Sequence, residues 1–358
     1  MQTNGKKALS PLVTGLVLVA LFFGFLGLIN FGASSYIQRI VIGLCISIIL
    51  VVSLNLSSGY TGIFSLGHVG FMAIGAYTAA ILTLPLSLKV AYLPDLPTWL
   101  ENTQLSFLPA TIIAGFVALL VALVIGFSIM RLTGPYVSVA TLGFLVIVNV
   151  ILINWDKMTR GARTFSGVPA YTNLWWVGIW TVITIYFVWR IVRSSYGRQM
   201  IATRDNFIAA QSIGINVLNM RLLAFCVSAF FTAVAGSLWA HFIQSFSPHA
   251  FLFVQTFSII TMLIVGGMGS ISGSVIGAVI ITVLSEVLRN AERGVNLGFV
   301  HLPPVYGASQ ILMAVIFILL IIYRPEGIMG KRELDFSRIF SFLIPKAKRK
   351  EVAPHKIE

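Results

Sequence analysis

Between residues 55 and 68 the chain reads NLSSGYTGIFSLGH. Asn55, Ser57, Ser58, Thr61, Ser65 and His68 carry uncharged hydrogen-bonding groups there, while Gly59, Gly62 and Gly67 free the backbone to bend. Such a run can open a helix and turn its own N–H and C=O groups toward a solute, which membranes tolerate only inside protein or beside a cavity. The chemistry on offer is binding and passage of a polar solute, not bond making. Each small residue alone suits close helix packing equally well. A second run, 266-GGMGSISGSVIGAV-279, adds Gly266, Gly267 and Gly269 to the candidate path. At an offset of 207 residues Gly59, Gly62, Ser65 and Gly70 fall on Gly266, Gly269, Ser272 and Gly277, as an ancient duplication would leave them.

Other chemistries find little support. His68 and His241 are lone histidines in apolar stretches and read as hydrogen-bonded packing residues rather than ligands or proton carriers. Cys45 and Cys226 have no CxxC or Cys/His spacing, so no metal site or redox pair is expected. Of the 11 acidic residues only Glu286 falls inside an apolar run, three positions before Arg289, where helical spacing allows a pair. Transporters driven by protons or cations usually keep carboxylates within the membrane, so an ion-coupled motor is disfavoured. GxxxxGK[ST], HExxH and GxSxG are all absent, leaving no phosphate loop and no common hydrolase motif. No cofactor is expected on this chain, and energy must come from a partner or a gradient.

The elements that must carry these residues are membrane helices. Of 358 residues 58% are hydrophobic and 10% charged, with mean hydropathy +0.94. Runs of about 18 residues or more can cross roughly 30 Å of hydrocarbon as helix. Apolar runs predict an all-α polytopic protein of ten crossings, near 11–31, 36–54, 67–88, 107–131, 136–153, 173–192, 220–245, 254–266, 274–288 and 304–323. The first run, after Lys6 and Lys7, is too long for a signal peptide and stays as a helix. Residues 1–330 form a transmembrane domain and 331–358 a basic tail. The net charge of +13 sits mainly in connections and tail, the distribution expected at a bilayer and not at nucleic acid. Arg193, Arg198, Arg204 and Arg221 face the single acid Asp205 within 193–221, which places that segment, the tail and both termini in the cytoplasm. Segments 89–106, 154–172 and 289–303 then lie outside, although Lys157, Arg160 and Arg163 make 154–172 a poor fit.

Segment 197-GRQMIATRDNFIAAQSIGINVLNMRLLAF-225, with its Gly197-Arg198 start, Arg204-Asp205 pair, Ala209-Ala210 pair and Gly214, resembles the coupling segment of branched-chain amino acid ABC transporter permeases of the LivM type. The runs starting at Leu54, Gly134, Asn154 and Gly266 resemble their counterparts in that family, in the same order. Asn206 and Phe207 depart from it, standing where the family tends to carry further acids. The resemblance implies an ABC importer permease fold in a bacterial inner membrane. It also implies a second and often different permease subunit, two cytoplasmic ATPases that use ATP, and an exterior solute-binding protein. The cargo would be branched-chain or related small amino acids, with urea or short-chain amides as the alternative and an ion-coupled secondary transporter as the rival class. By composition, 197–214 is too polar to cross, and its helix-compatible stretch from Gln199 to Ser212 predicts one helix stopped by Gly214. It would dock in an ATPase groove with Arg198, Arg204 and Asp205 at the rim and Ile201, Ile208 and Ile213 pointing into the groove.

Overall fold

The computed structural model describes residues 11–292, 307–324, 326–330 and 333. The described part of the chain folds as helices α1 (Pro11–Gly32), α2 (Ser35–Thr61), α3 (His68–Thr83), α4 (Leu86–Tyr92), α5 (Thr98–Glu101) and α6 (Phe107–Ile129). There follow α7 (Pro135–Asn154), α8 (Asp156–Thr159), α9 (Leu174–Val192), α10 (Ser195–Asp205), α11 (Phe207–Ser212) and α12 (Val217–Ile243). A 3-10 turn at Pro248–Phe251 leads to α13 (Phe253–Gly266), α14 (Ile271–Glu292) and α15 (Ala308–Tyr323). Among the described residues the only β pairing is the single Phe165–Phe246 bridge.

Every expected apolar run coincides with helix, with residues 304–306 lying outside those described. The expected ten crossings are not all reached by length and composition. Among the described residues eight helices qualify, or nine when α3 and α4 count as one span bent by 116°. The bend has a local cause. Leu84 takes φ −58°, ψ 133° because the ring of Pro85 disfavours α geometry in the residue before it. A 16-residue helix such as α3 or α15 is only about 24 Å long, short of the roughly 30 Å of hydrocarbon.

The connections alternate between two ends of the bundle. At one end Arg204 reaches Gly59, Arg221 donates to the Leu132 carbonyl at 3.4 Å, and Ile328 N–H donates to Val265 at 2.9 Å. At the opposite end Lys157 approaches Asp95 at 3.9 Å, the Arg160 guanidinium lies 4.1 Å over the Tyr92 ring, and Phe165 pairs with Phe246. The basic 154–172 connection therefore sits against 89–106, the side that strict alternation assigns to it. Lys89, in the segment expected on the exterior side, is buried and donates to the carbonyls of Leu100 (3.0 Å) and Thr103. Glu286 and Arg289 form the expected pair at 2.7 Å near the start of α2, where Tyr36 also bonds Glu286.

At the centre α2, α3 and α12 are the most enclosed helices, and α12 packs against α2, α3 and α6. Its crossing with α3 is a backbone contact. A Cβ at Gly236 would lie 2.0 Å from the Met72 carbonyl oxygen, and one at Gly75 would lie 2.1 Å from that of Ala233. Cys45 and Cys226 are buried free thiols. The expected basic tail, Glu333 apart, lies outside the described residues.

Candidate translocation path and coupling segment

The two glycine-rich runs meet. Gly62 closes α2 in the left-handed region at φ 75°, and Gly269 holds φ 88° in the connection from α13 to α14, so each run ends one helix and starts the next. Asn55 joins them: its Oδ1 accepts from Gly269 N–H at 2.8 Å, and its Nδ2 donates to the Ser270 carbonyl and Ser274 Oγ, both at 2.8 Å. A Cβ at Gly59 would lie 2.5 Å from the Gly269 nitrogen. The sequence offset thus corresponds to two similar helix breaks set side by side.

The polar groups of 55–68 point into the protein. His68 is buried with Nε2 at 2.5 Å from Ser228 Oγ and 3.2 Å from Ser57 Oγ, and Nδ1 at 3.1 Å from Ser65 Oγ. Ser228 in turn donates to the Ser53 carbonyl, so this cluster ties α2, α3 and α12 together. Thr61 donates to the Ser57 carbonyl and Thr141 accepts from Leu66 N–H at 3.0 Å. His241 is likewise satisfied, with Thr83 Oγ1 and the Ser237 carbonyl each at 2.8 Å, as a packing histidine should be. Of the candidate path residues Asn55, Gly59, Thr61, Gly62, Ser65, Gly67, His68, Gly266, Gly267 and Gly269, all but Gly62 are buried. Gly62 borders a cavity of about 300 Å³ whose wall continues through Phe64, Gly134, Pro135, Ser138 and Arg221. Residues from α7 and the start of α12 belong to this cavity, and the sequence had not placed Gly134, Pro135, Ser138 or Arg221 on the candidate path.

The candidate coupling segment is two helices, not the single 199–212 helix expected. Asn206, at φ −156°, ψ 104°, breaks it, and its Oδ1 accepts from Ile208 and Ala209 N–H at 3.1 Å as an N-cap. The break puts Ile201 and Ile208, both expected to point into the groove, on different helices. Ile201 is half-buried against the bundle, whereas Ile208 and Ile213 are 63% and 75% exposed. Ala209 is exposed and Ala210 buried. Gly197, Met200 and Thr203 seat α10 on the bundle, a Cβ at Gly197 falling 2.1 Å from the Val192 carbonyl oxygen. Gly214 stops α11 as expected, with φ 83° and its N–H donating to Gln211 at 2.9 Å. Arg198 is exposed, but Arg204, expected at the rim, turns inward.

Residues 36–323 match the family model described as branched-chain amino acid transport system / permease component. The chain is 27% identical over 318 residues to the high-affinity branched-chain amino acid transport permease LivM of Salmonella typhimurium, covering 79% of this chain and 68% of that protein. It is 23% identical over 318 residues to the probable LivM of Methanocaldococcus jannaschii, covering 80% and 91%. It is also 27% identical over 171 residues to the autoinducer 2 import permease LsrC of Shigella flexneri, covering 42% and 47%. No solved structure matches. The broken-helix junction, the two-part polar segment and a family match from residue 36 to residue 323 lead to one conclusion: the chain belongs to the permease-component family of branched-chain amino acid transport systems and is a membrane subunit of an ABC importer.

Proposed function

We propose that this permease moves branched-chain or related small aliphatic amino acids inward, together with a second permease subunit, two cytoplasmic ATPases that consume ATP, and an exterior solute-binding protein. The relatives' cargo supports the substrate class, since the two LivM proteins match 79% and 80% of this chain and the autoinducer 2 import permeases 42% to 61%. The α10/α11 end is then cytoplasmic and the membrane is the bacterial inner membrane. The solute path passes the α2–α3 break, with the cavity beside Gly62 as its cytoplasmic mouth; about 300 Å³ is at the small end of ligand pockets.

The observation that carries this reading is the exposed corner 206–213. Ile208 and Ile213 are large aliphatic side chains projecting from a turn capped by Asn206, beside the exposed Phe207, the pattern of an anchor that enters a partner's groove. Ala209 lies exposed between them and permits close approach. The Ala209→Glu variant is expected to insert normally yet lose the ATPase on copurification, and with it leucine uptake in proteoliposomes supplied with ATP and binding protein. Retention of the ATPase at wild-type stoichiometry together with normal uptake would remove the segment from the coupling role. Uptake that persists without ATP under an imposed proton or sodium gradient would favour a secondary transporter instead.

A further inference from the structure

Arg204 sits at the end of α10, yet its guanidinium faces the membrane bundle. Its side chain is only 17% exposed; Nη1 donates to the Gly59 carbonyl at 2.9 Å and Nε to Asp205 Oδ1 at 3.1 Å. Gly59 supplies one of the last carbonyls of α2, which have no N–H partner within the helix and carry the negative end of its dipole. Two glycines make room for the arginine. A Cβ at Gly62 would lie 2.9 Å from Arg204 Cγ, and one at Gly269 would lie 2.7 Å from Nη1. Asn55, one turn back on α2, holds the Gly269 N–H. On the other side of the junction Glu333 accepts from Tyr60 Oη at 2.9 Å, Ile271 N–H at 2.6 Å and Ser272 N–H at 3.1 Å. The ends of α2 and α14 are thus fastened to each other, and Arg204 fastens α10 to the α2 side of that junction.

We infer that Arg204 is a positioning residue that transmits displacement of α10 and α11 to the joined ends of α2 and α14, beside the cavity at Gly62. The inference rests on the reading of 195–212 as the ATPase dock. A surface charge serving only the partner would be exposed and would need no glycine-lined slot. An arginine donating to a helix end and to its own neighbour, Asp205, holds two elements in fixed register.

The test compares Arg204→Ala and Arg204→Lys in the full transporter, reconstituted with its ATPase and leucine-loaded binding protein. Copurification, ATP hydrolysis and leucine moved per ATP are all read. The Ala variant is expected to retain the ATPase and hydrolyse ATP while leucine moved per ATP falls about tenfold, the scale of one charge-assisted hydrogen bond. Lys keeps the charge at the helix end but cannot reproduce the planar fork, so it should restore part of the ratio and no more. An unchanged ratio in the Ala variant overturns the inference. If that variant does not accumulate, an unchanged ratio in the Lys variant overturns it equally. Ala209→Glu separates the two readings. Its loss of the ATPase alongside a normal ratio in Arg204→Ala removes only the role of Arg204, whereas its retention of ATPase and uptake removes the dock on which the inference stands.

Discussion

Gly62 is the residue at which the proposed path and the junction meet, and its two constraints can be separated. It is exposed to the cavity, yet a side chain there is strained by φ 75° and would press on Arg204. Gly62→Leu is therefore expected to abolish uptake for either reason. Ser138 borders the same cavity from α7 and donates to the Phe64 carbonyl at 2.6 Å, away from Arg204. Ser138→Trp should bring leucine uptake to background while ATPase copurification stays at the wild-type level; undiminished uptake in Ser138→Trp would show that the cavity is not the mouth of the path. The polar residue types of this region were legible in the sequence. Their direction was not, because Asn55, Ser57 and His68 find partners more than 150 positions away in some cases, as with Asn55 and Gly269 or His68 and Ser228.

At the scale of elements, the crossing of α3 and α12 is set by glycines whose α-carbons meet carbonyls directly. Membrane helices gain little from apolar burial against one another, so backbone approach and packing carry the association. Gly236→Val would force a methyl-bearing carbon onto the Met72 carbonyl, 2.0 Å from the position of its Cβ. It is expected to destabilise the protein by about 3 kcal/mol or more, toward the upper range for overpacking, with thermal unfolding in nanodiscs as the measurement. Gly143 in α7 has nothing within 4 Å of its Cβ position, so Gly143→Ala should leave stability unchanged or raise it by up to about 1 kcal/mol through helix propensity. Equal losses from both substitutions would mean that glycine serves helix flexibility here and not close approach. The coupling segment follows a different logic. Its polarity, Gly197 and Gly214 announced a short helical unit, but the stop at Asn206 depends on an asparagine choosing to cap rather than continue, a contest between local hydrogen bonds that spacing alone does not decide.

For the whole molecule, the alternation of connections between two ends yields an orientation that chemistry can read. With Cys45 and Cys226 replaced by serine, Trp99→Cys and Ile213→Cys present thiols at sites 69% and 75% exposed at opposite ends. A membrane-impermeant maleimide should label position 99 from the periplasmic side and position 213 only after permeabilisation, with the ATPase protecting the latter; the opposite pattern would invert the protein. Sequence by itself determined the solvent, the helical class, the place of nearly every span and the polar segment between α9 and α12, because hydropathy, glycine and proline act over distances of one helix or less. Tertiary structure alone decided that Arg204 faces α2 and not the aqueous phase, that Asn55 fastens two glycine breaks separated by more than 200 positions, and that the serines around His68 close a packing cluster. The physical reason is common to all three. A polar side chain near a bilayer must find a partner, and which partner is nearest is a property of how the helices pack, not of the residues beside it in the chain.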